Sequence, residues 1–343
     1  MGSLVAIVAA NHRTVGSATR KSIDLINGLG DLGDRRNILI KPNLCRPSSS
    51  QSGCTTDVEV VEAVIAEINR ISNSNIQVVE TNNFIASADE TFRTLGYTDL
   101  EKRFSNVKCI NLSKDEKMRL TMKGKIFRTL QVPETAVLSD YIISVAKLKT
   151  HVDYYYTGVL KNAYGFLLSR ERRQTYHGFM HEALVDLNTI YKPDLSIIDG
   201  VMGMQGFGPV GGKPKKLGVI ISSKDPVAAD AVAAEIIGIK PSKIKYLKCA
   251  EKSGIGTIRD IEVVGCNIDE VKTKCDFIPL RLYLLGKISL NLQRFSRRLV
   301  GFGKLLSLGR SAMATIGYSE LRSRASIYEL LGMAKDMLFK FQD

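Results

Sequence analysis

The chain reads as an α/β protein: a mostly parallel sheet with helices on both faces, a small antiparallel hairpin insertion and a helical C-terminal tail. Three observations predict this. Short apolar runs of strand length alternate with amphipathic segments of helix length. The runs are rich in Val and Ile with few polar interruptions, as strands covered on both faces require. Near the C-terminus the pattern changes to apolar residues three and four apart, flanked by Lys and Arg.

In chain order, residues 5–8 form the first expected strand, 17–29 a helix and 37–40 the second strand. Thr56-Asp57-Val58-Glu59 has the form of a capping box, in which the Thr hydroxyl and the Glu carboxylate satisfy reciprocal backbone donors. It opens a helix of about 15 residues with Val60, Val61, Val64, Ile65 and Ile68 on its apolar face. Residues 76–79 are the third strand, and 118–130, with Lys123-Gly124 in the middle, a hairpin. Residues 141–145, 195–198 and 217–221 are further buried strands. Asp225-Pro226 then starts a helix, with Asp as N-cap and Pro in the first turn. Domain organisation follows: residues 1–275 are the core and 276–343 the tail. In the tail, Leu285, Ile288, Leu292, Phe295, Leu299, Phe302 and Leu306 make an apolar stripe beside Lys287, Arg294, Arg298 and Lys304.

Of 343 residues, 44% are hydrophobic and 24% charged, an ordinary globular balance. The net charge is +13, and residues 277–318 carry seven Lys or Arg with no Asp or Glu. No apolar run reaches the roughly 18 residues of a membrane span. Met1-Gly2-Ser3-Leu4 lacks the layout of a signal peptide, and Ala6 stands where a myristoylation signal needs Ser or Thr. The expected address is the cytoplasm, with the basic amphipathic tail either packed on the body or laid on a membrane surface. Nucleic acid is disfavoured as a partner, because no aromatic residues are interleaved with the basic ones in a known module.

Ligands of open α/β sheets sit at the carboxyl ends of the strands, so the residues following each strand are the candidates. They are Lys41 and Asn43 after the second strand, Glu80 and Asn82 after the third, Lys147, Lys149 and His151 after 141–145, and Asp199 with a glycine-rich loop after 195–198. Lys161 and Asn162 follow close behind. Lys41, Lys147 and Lys161 with Asn43, Asn82, Asn162 and Gly206 suit the binding of a phosphate or carboxylate. Crowded lysines depress one another's pKa, which offers a base or a nucleophilic amine, and Lys149 is the expected one. His151, with His177 and His181 four apart, are expected to move protons, oriented by Asp199. Glu80, Asp199, Cys45 and Cys54 are the candidate metal ligands.

Two G-x-G-x-x-G matches, at 28–33 and 206–211, are in the wrong context for a nicotinamide dinucleotide: neither follows a strand and opens a helix. The six cysteines include no C-x-x-C pair, so their spacing does not support an iron–sulfur cluster.

Several segments together resemble the domain of unknown function 362 family. They are Ile40-Lys41-Pro42-Asn43-Leu44, Thr55-Thr56-Asp57, Val145-Ala146-Lys147-Leu148-Lys149-Thr150-His151, Thr157-Gly158-Val159-Leu160-Lys161-Asn162, Asp199 to Gly206, and Asp225-Pro226-Val227-Ala228-Ala229-Asp230. Members are often labelled iron–sulfur proteins because many carry an appended ferredoxin-like module, and that module is absent here. The resemblance implies no settled reaction; its members with electron-carrying modules tilt the reading toward redox chemistry, here fed by a separate electron-transfer protein. The residues alone fit an enzyme acting on a small anionic molecule, redox or not, with proton transfer, elimination or isomerisation as the non-redox forms. A non-catalytic ligand-binding accessory protein uses the same pocket without turnover.

Overall fold

The structure is a computed structural model, and it describes residues 2–168 and 170–278. The expected tail helix lies outside the described residues. Strands are β1 Ser3–Ala9, β2 Asn37–Pro42, β3 Asn75–Glu80, β4 Val107–Asn111, β5 Lys117–Thr121, β6 Thr129–Pro133, β7 Tyr141–His151, β8 Tyr155–Thr157, β9 Leu195–Gln205, β10 Lys213–Ser223 and β11 Ile261–Gly265. Helices are α1 Val15–Leu25, α2 Val58–Ile71, α3 Ala88–Thr94, α4 Thr98–Arg103, α5 Glu134–Val137, α6 Val159–Asn162, α7 Arg170–His177, α8 Met180–Ile190, α9 Pro226–Ile236, α10 Lys245–Lys252 and α11 Ile268–Val271.

The main sheet runs β11-β1-β10-β9-β7-β2-β3-β4, with β8 added against β7. The pairs β1–β11, β9–β7, β7–β2, β2–β3 and β3–β4 are parallel. β10 runs antiparallel to both neighbours, and β8 to β7. The expected hairpin is present as β5–β6, a separate two-stranded sheet. Alternate strand residues Ile38, Ile40, Ile76, Val78, Ile143, Val145 and Ile197 pack with Val15, Ala18, Val60, Val61, Val64 and Ile68 of α1 and α2. The other face of β1, β9 and β10 is covered by α9, whose buried Ala and Val residues let it lie close to the sheet.

Three local expectations need correcting. The α2 N-cap is Asp57, whose side chain accepts from Glu59 N at 3.1 Å. Thr56 serves a tertiary contact instead. Its hydroxyl donates to Val145 O at 2.8 Å and accepts from Asn43 N at 3.0 Å, tying the β2–α2 loop to β7. β7 also continues well past residue 145, because β8 folds back on its far end with Lys149 opposite Thr157. Lys147, Lys149 and His151 are therefore strand residues on one face, spaced by two, not loop residues. Finally, His177 ends α7 and His181 lies in α8, with Gly178 and Phe179 between the helices, so the two rings do not share one helix face.

Candidate functional site

Two buried ion pairs join neighbouring strands. Lys41 Nζ lies 2.7 Å from Glu80 Oε2 and donates to Pro42 O at 2.8 Å. Glu80 also accepts the backbone N–H groups of Leu44 (3.0 Å) and Thr81 (2.9 Å). One strand pair away, Lys147 Nζ lies 2.7 Å from Asp199 Oδ2, directly across the β7–β9 register. Asp199 further accepts from Asp57 N (2.8 Å) and Val201 N (3.1 Å). Burial lowers the Lys41 amine below the ordinary lysine value, although Glu80 works in the opposite direction. The chain passes directly over this first pair at Gly165, where a Cβ would stand 2.9 Å from Lys41 Cε and 3.0 Å from Nζ.

Lys149 is buried between the pairs and touches no carboxylate. Its ammonium donates to Cys54 O (2.6 Å), Asn43 Oδ1 (2.8 Å) and Cys45 Sγ (3.3 Å). Asn43 continues the network by donating to Asn162 Oδ1 at 3.2 Å. Asn162 is fixed in turn by Lys41 O (2.9 Å) and Ser144 Oγ (3.1 Å). The amine of Lys161, next to Asn162 on α6, makes no hydrogen bond or ion pair among the described residues. Burial, then the Lys149 charge, push its amine down to about 8, against the opposing pull of Asp153. α6 itself is held by Asp230, which accepts from Val159 N (2.7 Å), Leu160 N (3.0 Å) and the Tyr156 hydroxyl (2.8 Å). Asn43, Cys45 and Lys161 are half-buried, whereas Lys41, Lys147, Lys149 and Asn162 are buried.

The histidines gather around Tyr154. Its ring centroid is 5.4 Å from His151, 5.3 Å from His177 and 5.4 Å from His181. His151 Nδ1 accepts from Asp153 N at 3.1 Å, which puts the proton of the neutral ring on Nε2. Asp153 Oδ2 lies 4.0 Å from His177 Nε2.

The structure thus brings together Lys41, Asn43, Glu80, Lys147, Lys149, Asn162 and Asp199 through direct contacts. Asp199 is placed to hold Lys147, not to orient a histidine. Asn82 is not part of this set: its side chain accepts from Ala88 N (2.9 Å) and Asn111 (3.0 Å), which fixes the start of α3. Gly206 is also elsewhere, donating to Asp276 O and accepting the Thr150 hydroxyl at 3.1 Å beyond the end of β9. Sequence reasoning missed Asp153, Tyr154 and Asp230. Asp230 lies in the Asp225–Asp230 segment, where the helix pattern alone accounts for it. Asp153 and Tyr154 follow the strand end by two and three residues and carry the same positional signal as His151.

Cys109 and Cys266 cannot share one cluster. Cys109 lies on β4 and Cys266 directly after β11, the two edges of the sheet path. Seven strand spacings of about 4.8 Å separate those edges, roughly 34 Å. Cys45 and Cys54 do approach each other, with Cys45 Sγ donating to Cys54 O at 3.4 Å, and burial pushes the Cys54 thiol up. Glu80 and Asp199 are each occupied by a lysine and two backbone donors. Among the described residues no group of three or more His, Cys, Asp or Glu side chains is arranged to hold a metal ion.

Several known proteins are similar to this chain. A thylakoid-associated protein of Synechocystis sp. is 28% identical over 249 residues, 70% of this chain and 75% of that protein. Among solved structures, the lactate racemase apoprotein of Thermoanaerobacterium thermosaccharolyticum aligns with a TM-score of 0.49 and 12% identity, over 69% of this chain. This chain spans 57% of that protein's length. A Thermotoga maritima protein aligns with a TM-score of 0.35 and 11% identity, over 71% of this chain and 59% of that one. Residues 38–235 match the family described as "Domain of unknown function (DUF362)", a span that includes Lys41, Asp230 and every lysine and histidine of the site described above. The chain belongs to that family.

Proposed function

We propose that this protein is an enzyme acting on a small anionic molecule, a carboxylate or phosphate, held at the lysine cluster and worked on by proton transfer. The observation that carries the reading is an imbalance of charge. Four lysines meet two ion-pairing carboxylates, and among the described residues Lys149 and Lys161 pair with none. A buried ammonium without a counter-charge is costly, and a bound anion supplies the missing charge. The half-buried Asn43, Cys45 and Lys161 give that anion its way in. Asp153, whose charge is felt at Lys161, and His151, which accepts from the Asp153 backbone, are the acid–base groups. That pairing favours elimination, isomerisation or a related proton-moving reaction.

Isothermal titration with pyruvate, phosphate and succinate tests the reading. A carboxylate or phosphate binds at neutral pH, and affinity falls as pH rises through about 8, where Lys161 loses its proton. Binding that is absent, or that does not change between pH 6 and pH 9, counts against the lysine cluster.

Attachment to a membrane surface through the tail is the second part of the proposal. It is supported by the run of seven basic and no acidic residues over 277–318 and by the thylakoid association named for the Synechocystis relative. Among the described residues no helix is long and apolar enough to cross a membrane.

A further inference from the structure

The four lysines of the cluster are not equivalent. Lys41 is committed to Glu80 and Pro42 O, and Lys147 to Asp199. Lys149 directs its three protons to Asn43, Cys54 O and Cys45. Each of these three amines is thereby tied to partners within the protein. The Lys161 amine makes no hydrogen bond or ion pair among the described residues, and the residue is half-buried on the helix that Asp230 and Asn162 pin against the cluster. Its position is fixed by its backbone while its amine remains available.

We propose that Lys161 is the nucleophilic amine of this site, and that it condenses with the carbonyl carbon of a 2-oxo carboxylate to form an imine. This rests on the anion-pocket reading above and names its substrate class. The charge of Lys149, which has no carboxylate partner among the described residues, attracts the substrate carboxylate. The oxo carbon, one bond further along, then faces Lys161. The Nζ lone pair forms the C–N bond as the carbonyl π pair moves to oxygen, which takes up a proton. Nζ then gives up one proton, which is passed to the hydroxyl so that it departs as water, leaving a protonated imine with no change of oxidation state. The two proton movements fall to Asp153, whose charge already acts on Lys161, and to His151.

The amine is also in the right protonation state often enough to react. An ordinary lysine near 10.4 is neutral in about one molecule per thousand at pH 7.4, whereas an amine near 8 is neutral in about one in five. Once formed, the imine is an electron sink for loss of a proton or carboxylate from the adjoining carbon, which agrees with the proton-transfer chemistry proposed for the site.

Full-length protein is incubated with glyoxylate, pyruvate or 2-oxoglutarate and sodium cyanoborohydride, whose hydride adds to the imine carbon and fixes it as a secondary amine. Peptide mass spectrometry locates the product. The expected result is an adduct on Lys161, at least tenfold above any other lysine, with a yield that rises between pH 6 and pH 8. K161R keeps the positive charge but not the nucleophile, and loses the adduct while still binding pyruvate by titration calorimetry. Anion binding to the wild type with no enrichment at Lys161 overturns the imine and leaves the anion pocket standing. Absence of both binding and adduct overturns both. An adduct that persists elsewhere in K161R at the wild-type level also overturns the imine, since the reactive amine is then another one.

Discussion

Asp199→Asn tests how much of the site depends on buried charge. Lys147 and Asp199 are 1% and 0% exposed, so neither is shared with water. The substitution keeps the shape but leaves the Lys147 ammonium buried without its counter-charge. Breaking such a pair from one side costs about 3–5 kcal/mol. The amide also turns an NH₂ toward one of three donors, Lys147 Nζ, Asp57 N or Val201 N, that the carboxylate satisfies now. Against a total of about 5–15 kcal/mol, this is roughly a fifth or more of the stability. At roughly 2–4 °C per kcal/mol for a domain near this size, Tm drops by about 6–20 °C. Urea denaturation followed by circular dichroism, with a thermal melt in parallel, measures both quantities. The paired substitution Lys147→Met with Asp199→Asn leaves no buried charge and regains about half of the loss. A loss below about 1 kcal/mol for Asp199→Asn would refute the reasoning, because the pair would then be reached by water. So would a double variant that falls by the sum of the two singles, since the two residues would not be coupled.

Gly165→Ala places a methyl 2.9–3.0 Å from the end of Lys41, which the Glu80 contact prevents from moving aside. It destabilises by about 1–3 kcal/mol in the same assay, while an alanine at the open position Gly16 does not. Asp230 gives a pH dependence with a definite sign. Burial raises its carboxyl to about 7 in the folded chain, against about 4 unfolded, so the folded chain holds the proton longer. Its contribution to stability is therefore full below about pH 4 and is lost as pH rises through about 7, and Asp230→Asn flattens the urea midpoint across that window. For the tail, full-length protein sediments with vesicles containing anionic lipid, a chain truncated after residue 276 does not, and added salt weakens the binding. Equal sedimentation of both chains removes the membrane proposal.

The sheet is legible in the sequence because its strands are apolar and β-branched on both faces, a pattern that survives without any knowledge of tertiary contacts. The same pattern hides the true length of β7. Residues 147–151 alternate Lys, Leu, Lys, Thr and His, which in sequence looks like a polar loop. It is a strand because β8 returns along it and because Lys147 and Lys149 find Asp199, Asn43 and the Cys54 carbonyl. Those partners lie 52 to 106 residues away in the chain, so no local rule could identify them. Asn82 shows the converse failure. It does follow β3, as the sequence predicts, but a short polar side chain there has a local use in fixing α3, and that use prevails.

Two buried Lys–carboxylate pairs in one sheet are not explained by stability, since apolar residues of similar size in the same places often serve as well or better. What the pairs do provide is fixed geometry. Lys41 and Glu80 anchor the backbone at Pro42, Leu44 and Thr81, and Asp199 anchors it at Asp57 and Val201. Those segments flank the Asn43–Cys45 turn and the start of α2, which carry or brace every acceptor that Lys149 uses. Lys149 is thereby held at one place, and the Lys161 amine beside it makes no hydrogen bond or ion pair among the described residues. A site meant only to hold the sheet together would have paired all four lysines. The proposed anion and its carbonyl account for the two that are not.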